Sequence, residues 1–335
     1  APVTALLQAM LDVARPEGLA RPDAAPVAVS LGVRAVVAAS SRPSIAVKAP
    51  RTIAGFEVSP LAVSGAAELP VPVFFEAMDA GCNLFFWEPR YRTLGTALRE
   101  RPEAHVIAGS YEASARGIVR DVDRALSRLG RDTLDVFLLY WVRSPARLEG
   151  EGVEALLRLR EQGKIRAAGF STHDRALACD AIASSTPWDV AMVRHSAAHP
   201  GAEDSVFPAA RARGVSVLAF STLSYGRLLG GAFTAADCYR YSASRPGVSA
   251  CLSAPRHRRE LVENLAVLAQ PDLDDATVAA LRVHGRRVHE SNRDFGATIR
   301  RFPPTLAETA HIPDEADGAG VGDDEIDLSV DPRFG

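Results

Sequence analysis

The sequence predicts a closed (β/α)8 barrel of the TIM-barrel type, with an N-terminal extension before it and an acidic C-terminal tail after it. Eight short apolar runs recur along the chain, each of the length expected for a strand covered on both faces. Helical patterns separate these runs, and successive runs begin roughly 20 to 35 residues apart, the length of one strand–helix unit. Eight such units in series favour a closed barrel over an open sheet.

Apolar spacing and glycines assign the individual elements. The clearest helix is predicted over Ser114–Leu129, because apolar residues repeat there at helical spacing and Gly130 follows. Another covers Val153–Leu159 and stops at Gly163, and a last helix is predicted over Asp274–His289. The predicted strands, in chain order, are Leu61–Ala66, Asn83–Trp87, His105–Ser110, Leu134–Tyr140, Ile165–Ser171, Asp189–Arg194, Val215–Phe220 and Val248–Ser253.

The flanking segments differ from the barrel in composition. We predict an N-terminal extension over residues 1–50, the barrel over 51–290 and a C-terminal segment over 291–335. The extension contains a candidate helix at Thr4–Ala14, and a small hairpin is expected within Ile45–Val58. The end of the chain, Ile312–Gly335, is rich in Asp, Glu and Gly and poor in bulky apolar residues, which is typical of a mobile or partner-dependent tail.

Composition excludes several classes of function. The chain of 335 residues is 47% hydrophobic and 24% charged, with a net charge of −3, so no basic field attracts nucleic acid or anionic lipid. Its four cysteines are far apart in sequence and form no C-x-x-C pair, which argues against disulfides, a zinc site or an iron–sulfur cluster. The N-terminus lacks the basic start of a signal peptide, and the apolar run Pro26–Ser40 is too short to span a bilayer. We therefore expect a cytoplasmic protein that binds neither nucleic acid nor membranes.

Six segments, taken in order, carry a resemblance to a known family. They are Phe56–Gly65, Ala77–Phe85, Arg124–Leu139, Gln162–Ser171, Leu218–Leu228 and Glu260–Leu265. Together they resemble the aldo-keto reductase superfamily over roughly residues 51–290, and the ordered set is more specific than any one motif. The resemblance implies a (β/α)8 barrel whose active site lies at the carboxyl ends of the strands.

The resemblance also implies a catalytic tetrad, of which this sequence retains one member. The family reduces carbonyl compounds with NADPH, using an Asp, a Tyr, a Lys and a His. By position these fall on Phe86, Tyr91, Ser110 and Tyr140. Only the tyrosine is kept, so we expect little ordinary aldehyde reductase activity. Asp and Lys form an ion pair in the family, and both have become uncharged here, which indicates coherent remodelling.

The positions that contact the cofactor in the family are kept in part. The resemblance places the nicotinamide near Ser171, Thr172 and Phe220, with Ser221 and Leu223 in the following loop. Glu263 and Asn264 match adenine contacts. The usual ligands of the 2′-phosphate fall on Ala254 and Glu260, and Arg256, Arg258 and Arg259 are candidate substitutes. Binding of NADP or NAD is therefore left open, and weak discrimination between them is expected.

Polar side chains follow several predicted strands at the expected barrel mouth. Strand two is followed by Trp87, Glu88, Arg90 and Tyr91, a set that could bind and protonate a carbonyl or anionic substrate. Other candidates there are Tyr140, Trp141, Arg143, His173, Arg194, His195 and His199. The two histidines four residues apart, with Glu203, could indicate a metal site, but hydrogen bonding or acid–base chemistry is favoured over metal ligation.

These observations predict an enzyme that acts on a small carbonyl or anionic substrate by a mechanism other than the family's own, with oxidoreductase activity linked to NAD or NADP left open. Tyr91 would act as acid or base, Glu88 or His195 as its proton partner, and Arg90, Arg143 or Arg194 as a clamp for the substrate. Two alternatives stay open. One is a redox-silent lyase, isomerase or cyclase, and the other is a catalytically inactive regulatory or assembly subunit. In the second case a protein partner would bind through the N-terminal extension or the acidic tail.

Overall fold

A computed structural model of the protein describes residues 51–230, 232–270 and 272–301, of which 292–301 are described as backbone. Eight parallel strands close into a barrel in the order β10-β3-β4-β5-β6-β7-β8-β9. The fold predicted from the sequence is therefore confirmed. The barrel strands are β3 (Leu61–Ser64), β4 (Leu84–Phe86), β5 (His105–Ser110), β6 (Leu134–Leu139), β7 (Ile165–Thr172), β8 (Val190–Arg194), β9 (Ser216–Phe220) and β10 (Val248–Ser253).

A short antiparallel hairpin precedes the barrel. It joins β1 (Arg51–Ile53) to β2 (Phe56–Val58), with Ile53 paired to Phe56. This confirms the part of the predicted hairpin that lies within the described residues. The candidate helix Thr4–Ala14, residues 45–50 and the acidic end of the chain lie outside them.

Helices alternate with the barrel strands along the chain. They are α1 (Val71–Asp79), α2 (Arg92–Glu100), α3 (Ala115–Leu129), α4 (Gly150–Glu161), α5 (Arg175–Ala183), α6 (Val206–Arg213), α7 (Ala235–Ala243), α8 (Arg258–Ala269) and α9 (Asp275–Arg301). The predicted helix at Ser114–Leu129 corresponds to α3, whose N-cap Ser114 accepts a hydrogen bond from the Gly117 N–H. No helix within the described ranges has the length and apolar character that a membrane span requires.

The last helix is longer than the sequence predicts. The prediction ended it at His289, whereas α9 continues to Arg301. Leu281 and Val288 of α9 form a second apolar cluster with Ala197 and Ala198, which follow β8. Gly285 permits this close approach, since a Cβ there would collide with the Ala197 carbonyl. Helix α9 therefore packs against loops at the carboxyl end of the barrel.

Candidate active site at the barrel mouth

Strand alternation decides which side chains reach the barrel interior. Successive residues of a strand point to opposite faces of the sheet. Phe86 packs against Tyr140 with ring centroids 5.4 Å apart, so both face inward. The Ser110 hydroxyl instead donates a hydrogen bond to Asp121 of α3 at 2.6 Å, so Ser110 faces the helix layer. Ser110, the position that matches the family's lysine, therefore does not point its hydroxyl into the barrel. Its neighbours Gly109 and Tyr111 face the mouth.

Tyr140 fills much of the barrel mouth on the side of β4 to β6. Its ring lies 5.2 Å from that of Tyr111. A Cβ at Gly109 would collide with the Tyr140 ring, so the glycine makes room for the larger side chain. The Tyr140 hydroxyl is buried and has no hydrogen-bond partner among the described residues. A buried hydroxyl of this kind is available to a bound ligand.

Glu88, Arg90 and Tyr91 form one connected polar group after β4. Arg90 Nε lies 3.2 Å from Glu88 Oε2, and Arg90 Nη2 donates to the Tyr91 hydroxyl oxygen at 3.3 Å. The Tyr91 and Tyr111 hydroxyls lie close enough to the Glu88 carboxyl to lower its pKa, against the effect of burial. Tyr111 was not among the candidates from the sequence, although an aromatic residue directly after a barrel strand was an available signal.

Burial controls the proton affinity of this group. Glu88 is only 9% exposed, and burial raises its pKa above the ordinary value despite the opposing charge of Arg90. Burial, and secondly the Glu88 charge, raise the pKa of Tyr91 to about 12. A carboxyl with a raised pKa and a phenol that stays protonated together suit proton donation more than nucleophilic attack.

Trp87 belongs to the helix layer and not to the mouth. Its indole N–H donates to the Tyr91 carbonyl at 3.1 Å, and its ring packs against Gly95 of α2. Of the four residues expected to act together after strand two, three do lie together. Trp87 therefore contacts the backbone of Tyr91 from the side of the helix layer.

The opposite side of the mouth is basic. Arg194 ends β8, is only 7% exposed and is paired in register with Phe220 of β9. The His173 ring packs edge-on against Phe220 with centroids 4.8 Å apart. Arg143 lies over the Trp141 ring at 5.4 Å. Burial, followed by the charges of Arg194 and Arg143, lowers the pKa of His173 to about 3.

His195 lies in a separate buried cluster. Its Nε2 is 3.1 Å from Glu203 Oε1, and its Nδ1 is 3.0 Å from the Ser242 hydroxyl. Glu203 also accepts hydrogen bonds from Tyr241 of α7 and from Arg282 of α9. These contacts tie His195 to the outer helices, and none of its hydrogen bonds among the described residues reaches Tyr91. Of the two candidate proton partners of Tyr91, Glu88 and His195, Glu88 is the one that lies in the same connected group as Tyr91.

The residues considered for a metal site make other contacts in the structure. His195 and Glu203 hydrogen-bond to each other, and the His199 ring packs edge-on against His289 at 5.4 Å. Across the described part of the chain, no group of three or more His, Cys, Asp or Glu side chains is arranged to hold a metal ion.

The residues that match nicotinamide contacts lie at the mouth. Ser171 Oγ accepts the Trp141 N–H at 2.8 Å, and Thr172 Oγ1 accepts the Asp174 N–H at 3.1 Å. Ser221 follows β9 with a φ of 54°, and Leu223 is partly buried in the same loop. Phe220 is buried beside His173.

The residues that match adenosine contacts already form hydrogen bonds or ion pairs with other residues of the protein. The Asn264 amide donates to Ser253 Oγ at 2.9 Å, and Glu263 accepts the Ala235 N–H at 3.4 Å. Arg256 Nη2 lies 2.7 Å from Glu260 Oε1, and the Arg256 N–H donates to the same carboxylate. The substitute arginine is therefore already paired with a carboxylate.

Comparisons with known proteins agree with this architecture. Residues 105–236 match the model of the Aldo/keto reductase family. The NADH-specific methylglyoxal reductase of Escherichia coli (strain K12) is 26% identical over 196 residues, which cover 49% of this chain and 59% of that protein. An aldo-keto reductase of Mycolicibacterium paratuberculosis is 25% identical over 163 residues, covering 46% of this chain and 56% of the relative. The matches thus span less than two thirds of each relative.

Solved structures of the same fold superimpose over most of the described barrel. A glycerol dehydrogenase from Gluconobacter oxydans gives a TM-score of 0.61 at 20% identity, covering 71% of this chain and 95% of that one. An aldo-keto reductase from Klebsiella pneumoniae in complex with NADPH gives 0.59 at 21% identity, covering 71% and 96%. At these identities the likeness shows the fold alone. The family match across the middle of the barrel, residues 105–236, and the closed eight-stranded architecture both agree with the resemblance to the aldo-keto reductase superfamily.

Proposed function

We propose that this protein is an oxidoreductase of small carbonyl compounds, linked to NAD or NADP, in which Glu88 and Tyr91 supply the proton. The observation that carries the proposal is the connected group of Glu88, Arg90 and Tyr91 at the mouth of the barrel. Reduction of a carbonyl needs a hydride and a proton. The family's proton donor is a tyrosine activated by lysine, and this chain has the tyrosine without the lysine.

In this proposal Glu88 makes the lysine unnecessary, because Glu88 is itself the source of the proton. A tyrosine whose pKa is about 12 is a weak proton source by itself, but it is a good hydrogen-bond donor to a carbonyl oxygen. Burial keeps more of the Glu88 carboxyl protonated than it would be in water. We propose that the proton passes from Glu88, directly or through the Tyr91 hydroxyl, to the oxygen on which negative charge develops. Arg90 then compensates the charge left on Glu88.

Tyr140 provides a second contact for the carbonyl oxygen. It stands at the position of the family's histidine, and its buried hydroxyl has no partner within the described residues. Burial and the charge of Glu88 raise its pKa well above the ordinary value, so the hydroxyl stays protonated and can donate a hydrogen bond. Two donors on one oxygen favour the charge that develops during reduction.

The side chains present fit the nicotinamide end of a dinucleotide better than its 2′-phosphate end. Ser171, Thr172 and Phe220 lie at the mouth where an amide and a flat ring could be held. A bound reduced nicotinamide would supply the hydride. At the other end, Arg256 is bound to Glu260, whose carboxylate repels a phosphate.

Weak discrimination between NADP and NAD is the expected result of this pairing. Arg256 is 80% exposed, and an exposed ion pair of this kind contributes at most about 1 kcal/mol. The dissociation constants of NADPH and NADH should therefore differ by less than about tenfold. Calorimetric titration measures both. The Glu260→Gln variant should shift preference towards NADPH, whereas Glu154→Gln, at a distant exposed ion pair, should not. A strong NADPH preference in the wild type would contradict this expectation.

Steady-state kinetics tests the proposed function. The purified full chain is assayed with NADH and with NADPH against a panel of small aldehydes, ketones and oxo acids, by the loss of reduced nicotinamide. We expect turnover with a restricted set of carbonyl compounds, and rates well below the order of 10 s⁻¹ with generic aldehydes. Absence of cofactor binding and of turnover across the panel would overturn the proposal.

One observation favours a second candidate, a barrel that binds a ligand without converting it. Phe86 and Tyr140 are both buried in the mouth and reduce the space for a substrate. Replacement of Tyr91 by phenylalanine separates the two candidates, because only one hydroxyl is removed. An enzyme would lose most of its activity, while a binding protein would keep its native function.

A further inference from the structure

The turn after β6 follows Tyr140 directly and has an unusual backbone. Trp141, the residue after Tyr140, has a φ of 50°, a left-handed conformation that residues other than glycine rarely adopt. Such a conformation persists only where the surrounding structure holds it, and it occurs most often at functional sites. The contacts that hold this turn therefore contribute to the direction of the Tyr140 side chain.

Hydrogen bonds to both neighbouring strands fix the N–H groups of the turn. On the side of β7, the Trp141 N–H donates to Ser171 Oγ at 2.8 Å, and the Val142 N–H donates to the Ser171 carbonyl at 2.7 Å. On the side of β5, the Tyr140 N–H donates to the Ser110 carbonyl at 2.8 Å. The Tyr140 carbonyl takes its hydrogen bond from a side chain, that of Arg147.

Arg147 ties the Tyr140 carbonyl to the loop after β5. Its Nη1 donates to the Tyr140 carbonyl at 2.8 Å, and its Nη2 donates to the carbonyls of Glu112 at 2.9 Å and Ser110 at 3.4 Å. A planar guanidinium reaches several acceptors at fixed angles, which a single ammonium nitrogen cannot do. Arg147 therefore fixes the backbone that carries Tyr140 relative to β5.

We propose that Arg147 is a positioning residue, which directs the buried Tyr140 hydroxyl at the substrate carbonyl by holding the Tyr140 backbone. This inference rests on the proposed function, in which that hydroxyl is the second donor to the carbonyl oxygen. The hydroxyl has no hydrogen-bond partner within the described residues, so its position depends on the backbone and on the packing of the ring against Phe86 and Tyr111. Arg147 acts through Tyr140 and not by contact with the substrate.

A double-mutant cycle on the full chain tests whether Arg147 acts through Tyr140. Arg147→Met removes the three hydrogen bonds and keeps an unbranched side chain. It should lower kcat/KM for the best carbonyl substrate about ten- to a hundredfold, the order of effect of a misplacement of about 1 Å. In the Tyr140→Phe background the same substitution should change kcat/KM by less than about twofold, because the hydroxyl that it displaces is absent. An equal loss in both backgrounds would overturn the inference, since a merely structural effect does not need the hydroxyl.

Fluorine NMR gives a readout that does not depend on turnover. A fluorotyrosine is introduced at position 140 of the full chain, and its resonance is expected to shift or broaden in Arg147→Met. Arg131→Met is the matched control, because Arg131 also donates to three backbone carbonyls, but at the amino end of β5. The acceptors there are the carbonyls of Leu98, Arg101 and Ala104. This control should leave the resonance in place.

A second variant, Arg147→Lys, is used if circular dichroism shows that the methionine variant does not fold. Lysine keeps the charge but offers one nitrogen in place of the planar fork, so the resonance should shift in the same direction by a smaller amount. An unchanged resonance in a folded Arg147 variant would contradict the assignment, whether or not carbonyl compounds are reduced. A displaced resonance in a protein that reduces no carbonyl compound would mean that the proposed function fails while Arg147 still positions Tyr140.

Discussion

Replacement of Glu88 by glutamine is expected to lower the rate of carbonyl reduction by about two to four orders of magnitude. Glutamine keeps the size and the hydrogen-bonding capacity of the side chain, but it cannot release a proton to the substrate. The ion pair of 3.2 Å between Glu88 and Arg90 is lost as well. Steady-state kcat of the wild type and the variant measures the effect.

A matched control shows whether the loss is specific. Glu154→Gln removes the same charge at an exposed ion pair of α4 and should leave kcat unchanged. Tyr91→Phe should lower kcat too, because it removes the hydroxyl that hydrogen-bonds to Arg90 at 3.3 Å. A Glu88 variant with the wild-type rate would show that the proton comes from elsewhere.

Replacement of Glu203 by glutamine is expected to destabilise the protein by about 3 kcal/mol, because it removes one charge from a buried network. The Glu203 carboxylate accepts hydrogen bonds from His195 at 3.1 Å and from the Tyr241 hydroxyl at 2.8 Å. It also accepts from Arg282 of α9, so this one side chain connects the loop after β8 to two helices. Urea unfolding at neutral pH compares the variant with the wild type. Glu154→Gln again serves as the control, and equal stability of all three proteins would contradict the prediction.

The same network predicts how stability depends on pH. Burial alone would raise the pKa of Glu203, but hydrogen bonds from His195 and Tyr241 lower it from the ordinary 4.5 to about 2. A carboxyl with a lowered pKa stabilises the fold at any pH above its pKa in the unfolded chain. That contribution is lost as the pH falls from about 4.5 towards 2. Burial also lowers the pKa of His195, so proton uptake by the unfolded chain adds a loss that begins below about 6.5. In the Glu203 variant, the loss of stability caused by His195 should remain, and the loss caused by protonation of Glu203 should be absent.

The barrel could be predicted from the sequence because its signals are local. Each buried strand is an apolar run, and each helix has its own spacing and its own terminal residues, as Ser114 and Gly130 show for α3. The length of α9 could not be predicted in this way. The helix continues past His289 to Arg301. The close approach of Gly285 to the Ala197 carbonyl could not be predicted either, because these residues are far apart in the chain.

The candidate site could be predicted only in part, because side-chain direction depends on the pleat of each strand. Glu88, Arg90 and Tyr91 are neighbours in sequence, and their proximity followed from that. Ser110 lies one position from the mouth-facing residues, and the strand assignment alone did not reveal which face its side chain takes. His195 follows a barrel strand as expected, but its partners Glu203 and Ser242 belong to elements whose approach is set by tertiary packing.

The pH dependence of kcat for carbonyl reduction, measured in the wild type and in Glu88→Gln, tests the proposed chemistry most directly. The measurement uses the best substrate of the panel at saturating cofactor. The wild-type rate should fall as the pH rises through a pKa above 4.5, because reduction needs protonated Glu88. Tyr91, with a pKa of about 12, does not interfere in this range. The variant should be slow at every pH and should lack this decline. A wild-type rate that is independent of pH, or the same decline in the variant, would contradict the role of Glu88.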